Sequence, residues 1–179
     1  LLCLKGLKQG RHVEPLLPSV QFGFDCAQRQ WPSKMNAPHS PYILLLGSPD
    51  EVIWSWREWL YDYPAKAKVK VARHSMRDEI AMVRELCRLA PKLKLILDAN
   101  CGWTREEAWT FMSHLNAANI EYIEDPCARL EDIRAVASHT GIPVALDELL
   151  SLEPGWEPFP QLKAIIIKPT LIGSLARCK

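Results

Sequence analysis

The chain has 179 residues, enough for one ordinary domain with a buried core or for part of a larger one. It carries 22 Lys and Arg against 21 Asp and Glu, and this net charge of +1 gives no indication of a nucleic-acid or anionic membrane partner. Its longest apolar runs, residues 42–47 and 164–168, are much too short to cross a bilayer.

The cysteines and the first residues indicate a cellular compartment. The opening LLCLKGLKQGRH is interrupted by lysines and is not a convincing secretion signal. The cysteines are scattered, with neither a CxxC pair nor a histidine at zinc-binding spacing; they are Cys3, Cys26, Cys87, Cys101, Cys127 and Cys178. We therefore expect reduced thiols in a cytoplasmic protein.

The first 41 residues are poorly patterned. Prolines interrupt any helix longer than a few turns; they are Pro15, Pro18, Pro32, Pro38 and Pro41. The stretch SVQFGFDCAQRQ, residues 19–30, is compatible with a short helix between two of them.

From residue 42 onward, apolar strand-like runs alternate with helical patterns. The strand runs are YILLLG, which is interpreted as buried, then KAKVKVA, LKLILDAN, IEYIEDP, IPVALDE and LKAIIIKP. Capping boxes at Ser48–Glu51 and Thr104–Glu107 predict two helix starts. Helical spacing marks the intervening apolar faces: Val52, Ile53, Trp56, Leu60; Ile80, Val83, Cys87, Ala90; Ala108, Phe111, Leu115, Ala118; and Leu130, Ile133, Ala137, with a stop near Gly141. Residues 149–161 read as a loop with at most a short helical turn.

This alternation predicts an α/β fold of parallel strands joined by right-handed crossovers. A charged residue lies at or near the end of five successive strands, 21–28 residues apart: Lys70, Asp98, Glu124, Asp147 and Lys168. In a closed barrel these side chains would converge on one mouth, whereas in an open doubly wound sheet they would form a row. Three acids flanked by lysines favour the barrel.

The three acids predict a divalent cation. Asp98, Glu124 and Asp147 are hard oxygen ligands, and placed close together they would repel and bind protons unless a cation neutralised them. Such a site suits Mg²⁺, with Mn²⁺ as an alternative, rather than zinc. In the competing interpretation each acid only caps the following helix or pairs locally.

Lysines also alternate along the second strand. Lys66, Lys68 and Lys70 occupy every second position and so point to one face of the strand. An exposed sheet face or edge would carry such lysines too, because they discourage aggregation.

In this order, the motifs KVKV, LDAN, IEDP, LDE and IIIKP resemble the enolase superfamily, within its muconate-lactonizing subgroup, over about residues 18–176. The resemblance implies a (β/α)8 TIM barrel with about six of its eight strands present and most of the N-terminal cap missing. Residues 1–41 would then be a remnant of the cap or linker region, and residues 42–179 a partial barrel catalytic domain.

The resemblance also implies roles for particular residues. Lys70 would be the general base, with Lys68 behind it and Lys168 facing it across the site. Asp98, Glu124 and Asp147 would bind Mg²⁺, with Asn100 as a supporting polar group. We expect Lys66 to be structural, Asp125 and Glu148 to point elsewhere, and the histidines to have surface or structural roles: His12, His39, His74, His114 and His139.

The implied chemistry is removal of a proton beside the carboxylate of a small substrate, giving a metal-stabilised ene-diolate. A lysine in water is almost wholly protonated at neutral pH, and neighbouring ammonium groups, a metal ion and desolvation favour its neutral form. The longer stretches SVQFGFDCA, LDANCGWT and IKPTLIGSL also resemble this family. Their resemblance implies a lyase that would dehydrate a succinyl-hydroxycyclohexadiene carboxylate in menaquinone biosynthesis. N-acylamino acid racemisation, dipeptide epimerisation, muconate-type cycloisomerisation and an inactive barrel fragment remain alternatives.

Overall fold

The computed structural model describes residues 17–29, 42–58, 65–152, 156–174 and 176–178. The chain divides into two compact units, one formed by residues 38–166 and the other by residues 1–37 together with 167–179. The predicted boundary at residue 41 lies outside the described residues and stays a prediction.

The helices and strands alternate along the chain as predicted. In order they are α1 (Pro18–Gln28), β1 (Ile43–Leu45), α2 (Pro49–Glu58), β2 (Lys66–Lys70), α3 (Met76–Leu89), β3 (Lys94–Asp98), α4 (Arg105–Ser113), a 3-10 turn (Ala117–Asn119), β4 (Ile120–Glu124), α5 (Leu130–Thr140), β5 (Val144–Leu146), α6 (Glu148–Leu152), β6 (Leu162–Ile165) and α7 (Pro169–Ile172).

The sheet of the larger unit decides between the two predicted architectures. Its six strands are parallel and lie in chain order from β1 to β6, each hydrogen-bonded to the next. A doubly wound sheet reverses its strand order at a switch point, whereas a (β/α) barrel does not. The fold is therefore a partial barrel, and the predicted α/β class is confirmed.

Local side-chain hydrogen bonds define the starts of α2 and α4. Ser48 and Thr104 exchange hydrogen bonds with Glu51 and Glu107, so both predicted capping boxes are confirmed. Helix α5 ends at Gly141, whose φ of +68° suits glycine.

Helix α4 is shorter than predicted. It ends at Ser113, so Leu115 and Ala118 do not continue its apolar face. The physical reason is local, because the Asn116 side chain accepts a hydrogen bond from the Ala118 amide and starts a separate 3-10 turn.

The core of the larger unit lies between the outer face of the sheet and the helices. Alternate residues of β2, Ala67 and Val69, are fully buried there, together with the large side chains of Trp56, Leu86 and Phe111. Burial of this continuous apolar layer fixes the register of the strands, because a one-residue slip would turn the lysines of β2 into the core.

The first strand differs from the prediction of a buried run. Leu45 is 2% exposed, but Leu44 and Leu46 are 51% and 53% exposed. Strand β1 is an edge strand of the six, and Leu44 pairs with Lys68, so it shares the lysine face of the sheet rather than the core. The prediction was wrong because a continuous apolar run does not distinguish an edge strand from a central one.

In the smaller unit, α1 packs against α7, which confirms the helix predicted within residues 19–30. Gly173 has a φ of +95°, and a Cβ atom at this position would lie 3.0 Å from the Cα atom of Pro18. Throughout the described residues of both units, no helix combines the length and the apolar character needed to cross a membrane.

Candidate metal centre and catalytic lysines

Strand register brings the predicted site residues of the larger unit to one rim. Lys70 pairs with Asp98, and Asp98 pairs with Glu124. Glu124 in turn pairs with Ala145, so Asp147, two residues further on, lies in phase with the same face. The side chains therefore gather at the carboxyl ends of β2 to β5, which we call the carboxyl rim.

The lysines and acids of this rim are in direct contact. The Lys68 Nζ atom lies 2.6 Å from Glu124 Oε2 and 3.1 Å from Asp98 Oδ2, so its ammonium group bridges two carboxylates. The Lys70 Nζ atom lies 3.3 Å from the same Asp98 oxygen and also donates a hydrogen bond to Asn100 Oδ1. The predicted base and first metal ligand are thus neighbours.

The acids of the rim are buried and influence one another. Asp98, Glu124 and Asp147 are 3%, 2% and 6% exposed. Burial raises the pKa of Glu124; Lys68 acts in the opposite direction, while the negative charges of Asp98 and Asp147 raise the pKa further. The three carboxylates are therefore close enough to repel, and the rim favours added positive charge.

Lys68 already supplies part of that charge. Burial by itself would lower the pKa of Lys68, but the hydrogen bonds and charges of Glu124 and Asp98 outweigh burial and raise it above its ordinary value. Lys68 is accordingly a cation at neutral pH. A lysine with this character can hold negative charge in place, but at neutral pH it is not itself a proton acceptor.

The donor chemistry of the rim fits a hard divalent cation. Within the part of the chain that the structure describes, no three Asp, Glu, His or Cys side chains are already arranged around one ion position. Asp98 and Glu124 both contact the Lys68 ammonium group, and the negative charge of Asp147 raises the pKa of Glu124. Buried carboxylates without thiolate or imidazole suit Mg²⁺ or Mn²⁺, and these three residues could hold such an ion.

The turn after β3 supports this arrangement. The backbone amide of Asn100 donates a hydrogen bond to Asp98 Oδ1 at 3.2 Å, and Asn100 and Cys101 both have positive φ angles. A Cβ atom on Gly102 would lie 2.7 Å from the Cβ atom of Ala72 and 2.9 Å from the Ala99 oxygen, so only glycine fits there.

Asp125 points away from the lysines, as expected. Its Oδ1 and Oδ2 atoms accept hydrogen bonds from the backbone amides of Asp147 and Leu149. Burial raises the pKa of Asp125 to about 6, although these two hydrogen bonds act in the opposite direction. Glu148, also expected to point elsewhere, is half-buried at the first position of α6.

The remaining predicted residues lie elsewhere. Lys66 pairs with Glu121 at 3.0 Å at the opposite, amino ends of the strands, in keeping with a structural role. Lys168 belongs to the smaller unit, where it is the residue before α7, and its role facing Lys70 stays a prediction. His74, His114 and His139 are exposed, and His12 and His39 lie outside the described residues.

Sequence reasoning did not identify Glu79. This residue is 1% exposed, and its carboxylate accepts hydrogen bonds from three backbone amides of the turn after β2, those of Ala72, Arg73 and His74. A signal was available, because Glu79 stands four residues before Val83 on the apolar face of α3, where a lone carboxylate must find donors.

Comparison with known proteins identifies the family. A family model described as enolase C-terminal domain-like matches residues 55–170. The chain belongs to this family, as its strand order and rim residues also indicate.

Particular relatives extend the comparison. The chain is 38% identical to the o-succinylbenzoate synthase of Pectobacterium atrosepticum over 174 residues, covering 93% of this chain and 53% of that protein. It is 40% identical to the o-succinylbenzoate synthase of Proteus mirabilis over 172 residues, covering 91% and 52%. The chain thus spans about half the length of the curated relatives it matches.

The chain is also similar to solved structures. The o-succinylbenzoate synthase of Thermosynechococcus elongatus BP-1, complexed with Mg in its active site, superposes with a TM-score of 0.69 at 26% identity, over 93% of this chain and 58% of that one. The L-Ala-D/L-Glu epimerase of Bacillus subtilis gives a TM-score of 0.55 at 29% identity, over 63% and 33%.

Proposed function

We propose that this chain carries the metal site and the base of an o-succinylbenzoate synthase. The reaction would be dehydration of 2-succinyl-6-hydroxycyclohexadiene carboxylate to 2-succinylbenzoate, a step of menaquinone biosynthesis. The observation that carries the proposal is the rim contact itself, in which Lys68 bridges Asp98 and Glu124 while Lys70 lies against the same Asp98 oxygen.

Asp98, Glu124 and Asp147 would hold Mg²⁺, or Mn²⁺ in its place, and the T. elongatus synthase supports this because it is complexed with Mg in its active site. The bound ion would supply positive charge against the carboxylate of the substrate. Asn100 would support the first ligand, since its backbone amide donates to Asp98 Oδ1 and its side-chain oxygen accepts from Lys70. Lys68 would keep Asp98 and Glu124 in place from behind.

Lys70 would act as the general base. Its Nζ atom is held by Asp98 and Asn100 at the rim. From there it would face the carbon next to the carboxylate of a bound substrate. It would take the α-proton, and its protonated form would then return that proton to the departing β-hydroxyl group, which leaves as water. Loss of water makes the ring aromatic. Lys168 would hold negative charge on the opposite face of the substrate, in part as a cation over the ring.

A second candidate keeps the site but changes the outcome. The similarity to the B. subtilis epimerase favours epimerisation of a dipeptide or racemisation of an N-acylamino acid, because a lysine on each face of the α-carbon can remove and return a proton. Muconate-type cycloisomerisation would use the same two lysines. We also propose a cytoplasmic location, since the described cysteines are free thiols: Cys26, Cys87, Cys101, Cys127 and Cys178.

The test is incubation of the purified chain with each candidate substrate, α-deuterated, with and without Mg²⁺. We expect aromatic product, followed by its ultraviolet absorbance, only from the cyclohexadiene carboxylate and only with Mg²⁺. Deuterium washout with loss of stereochemistry and no dehydration would replace the synthase by an epimerase or racemase. Mg²⁺ binding without turnover of any substrate would identify an inactive barrel fragment.

A further inference from the structure

We propose that Asp125 is a positioning residue that fixes Asp147 relative to Asp98 and Glu124, and so sets the affinity of the rim for Mg²⁺. This inference rests on the metal site proposed above. Asp125 is not itself a ligand in this scheme, because both of its carboxylate oxygens are directed at backbone amides.

The side chain of Asp125 ties two turns together. It is 0% exposed; its Oδ1 atom accepts from the Asp147 amide at 3.1 Å and its Oδ2 atom accepts from the Leu149 amide at 3.0 Å. The backbone on which Asp147 stands is therefore fastened to the residue directly after Glu124. Charged acceptors make stronger hydrogen bonds than neutral ones, and these two are sheltered from water.

The backbone of Asp125 also contacts a third turn, the one after β3. Its carbonyl oxygen accepts from the Cys101 amide at 2.7 Å, and its own amide donates to the Ala145 oxygen at 3.0 Å. Cys101 lies in the turn that follows Asp98. One buried residue thus joins the turns after β3, β4 and β5; the first two follow the proposed ligands Asp98 and Glu124, and the third contains Asp147.

The backbone conformation of Asp125 indicates that its hydrogen bonds hold it in a geometry that it would seldom adopt by itself. Its φ of +37° is in the left-handed region, which residues other than glycine seldom adopt. Aspartate and asparagine tolerate this region better than other side chains do. Substitution Asp125→Asn therefore keeps a compatible backbone while it replaces one accepting oxygen by an NH₂ group that cannot accept.

Glu79 provides the matched control. It is likewise buried, at 1% exposure, and its carboxylate accepts from backbone amides, but in the turn after β2, which carries no proposed ligand. Glu79→Gln removes the same kind of acceptor from the same kind of site. Both variants are expected to lose stability, so stability alone does not distinguish positioning from a purely structural role.

The experiment is calorimetric titration of Mg²⁺ into the whole chain and both variants, under conditions where circular dichroism shows all three folded. We expect Asp125→Asn to weaken Mg²⁺ binding by about 10–100-fold, the range for groups that orient ligands, and Glu79→Gln to change it by less than about threefold. Equal loss in both variants, or unchanged affinity in Asp125→Asn, would overturn the proposal.

A second measurement needs no metal. Amide hydrogen exchange followed by NMR should show faster exchange at Asp147 and Leu149 in Asp125→Asn, with little change in the turn after β2. Unchanged exchange at those two amides would also overturn the proposal. If the unmodified chain binds no Mg²⁺, the proposed metal site fails, while the exchange data still show whether Asp125 holds the turn.

Discussion

The two rims of the same sheet use the same residue types in different ways. At the amino ends of the strands, Lys66 meets a single acid, Glu121, and both side chains are partly exposed, at 26% and 20%. At the carboxyl ends, Lys68 lies between two acids whose side chains are only 5% and 3% exposed. Both rims involve β2 and β4, so the difference comes from the neighbours of each pair.

This difference shows where chemistry can occur. The amino-end pair is neutral, because one lysine faces one acid, and a single partly exposed pair of this kind contributes little to stability. The carboxyl rim holds three carboxylates against two ammonium groups, and the raised pKa of Glu124 reflects burial and that excess of acid. A rim with incomplete charge compensation retains affinity for a further cation, whereas a compensated one is only structural.

Removing the proposed base should have the largest effect. We expect Lys70→Ala to lower the rate of dehydration by about 10²–10⁴-fold, the contribution typical of a general base. Lys66→Ala, which removes a lysine from the same face at the amino rim, should leave the rate within about threefold of the unmodified chain. The measurement is initial velocity with saturating Mg²⁺. Undiminished turnover by Lys70→Ala would exclude it as the base.

Removing one acid from each rim should show that only the carboxyl rim contributes to Mg²⁺ affinity. Glu124→Gln should weaken Mg²⁺ binding by more than about 100-fold, because it removes a proposed ligand rather than a group that orients one. Glu121→Gln should leave Mg²⁺ binding unchanged, since its partner Lys66 lies at the other rim. Calorimetric titration measures both. Similar affinities in the two variants would mean that the ion binds elsewhere.

Removing the bridging Lys68 should lower the stability of the protein more than removing Lys66 from the amino rim does. Lys68→Met leaves Asp98 and Glu124 buried without their shared cation, and should lower the free energy of unfolding by about 2–3 kcal/mol. Lys66→Met should cost at most about 1 kcal/mol. Urea denaturation without Mg²⁺ measures both losses, and added Mg²⁺ should recover part of the loss in Lys68→Met. Equal losses would show that the rims are energetically alike.

The contacts of Lys68 with Asp98 and Glu124 also predict how the stability of the protein depends on pH. Because folding raises the pKa of Lys68, its contribution to stability is fully present below the ordinary lysine value of 10.5 and is lost as the pH rises through the raised value. The stability difference between the unmodified chain and Lys68→Met should therefore be constant from pH 8 to about pH 10 and shrink only at higher pH. A difference that already shrinks between pH 8 and 10 would contradict the raised pKa.

The smallest effect is expected for a helix cap at the carboxyl rim. Thr104→Ala removes the cap of α4 and should lower the free energy of unfolding by about 1 kcal/mol, measured by urea denaturation. Mg²⁺ affinity should not change, because Thr104 contacts Glu107 and none of the rim acids. A parallel loss of affinity would show that helix starts, not charge pairs, determine the site.

Periodic and local signals made much of this fold predictable. The lysines at 66, 68 and 70 share a face because strand geometry requires it, and Ser48 and Thr104 cap helices through contacts only three residues away. The regular spacing of charged strand ends likewise predicted the gathering of Asp98 and Glu124 at one rim.

Contacts between distant segments were less predictable. Asp125 reaches an amide 22 residues away, and no local pattern distinguishes this partner from solvent. The exposure of Leu44 depends on the number of neighbours that β1 has in the sheet, which its composition does not encode. Sequence thus revealed which residue types meet at the rim, but not which buried acceptors hold the rim together.

The tight approach of Gly102 to Ala72 has a consequence for how Lys70 and Asp98 are spaced. With no side chain on Gly102, the turn that follows Asp98 lies directly against the methyl group of Ala72 in the turn that follows Lys70. The spacing between the backbone of Lys70 and that of Asp98 is consequently held by main-chain packing.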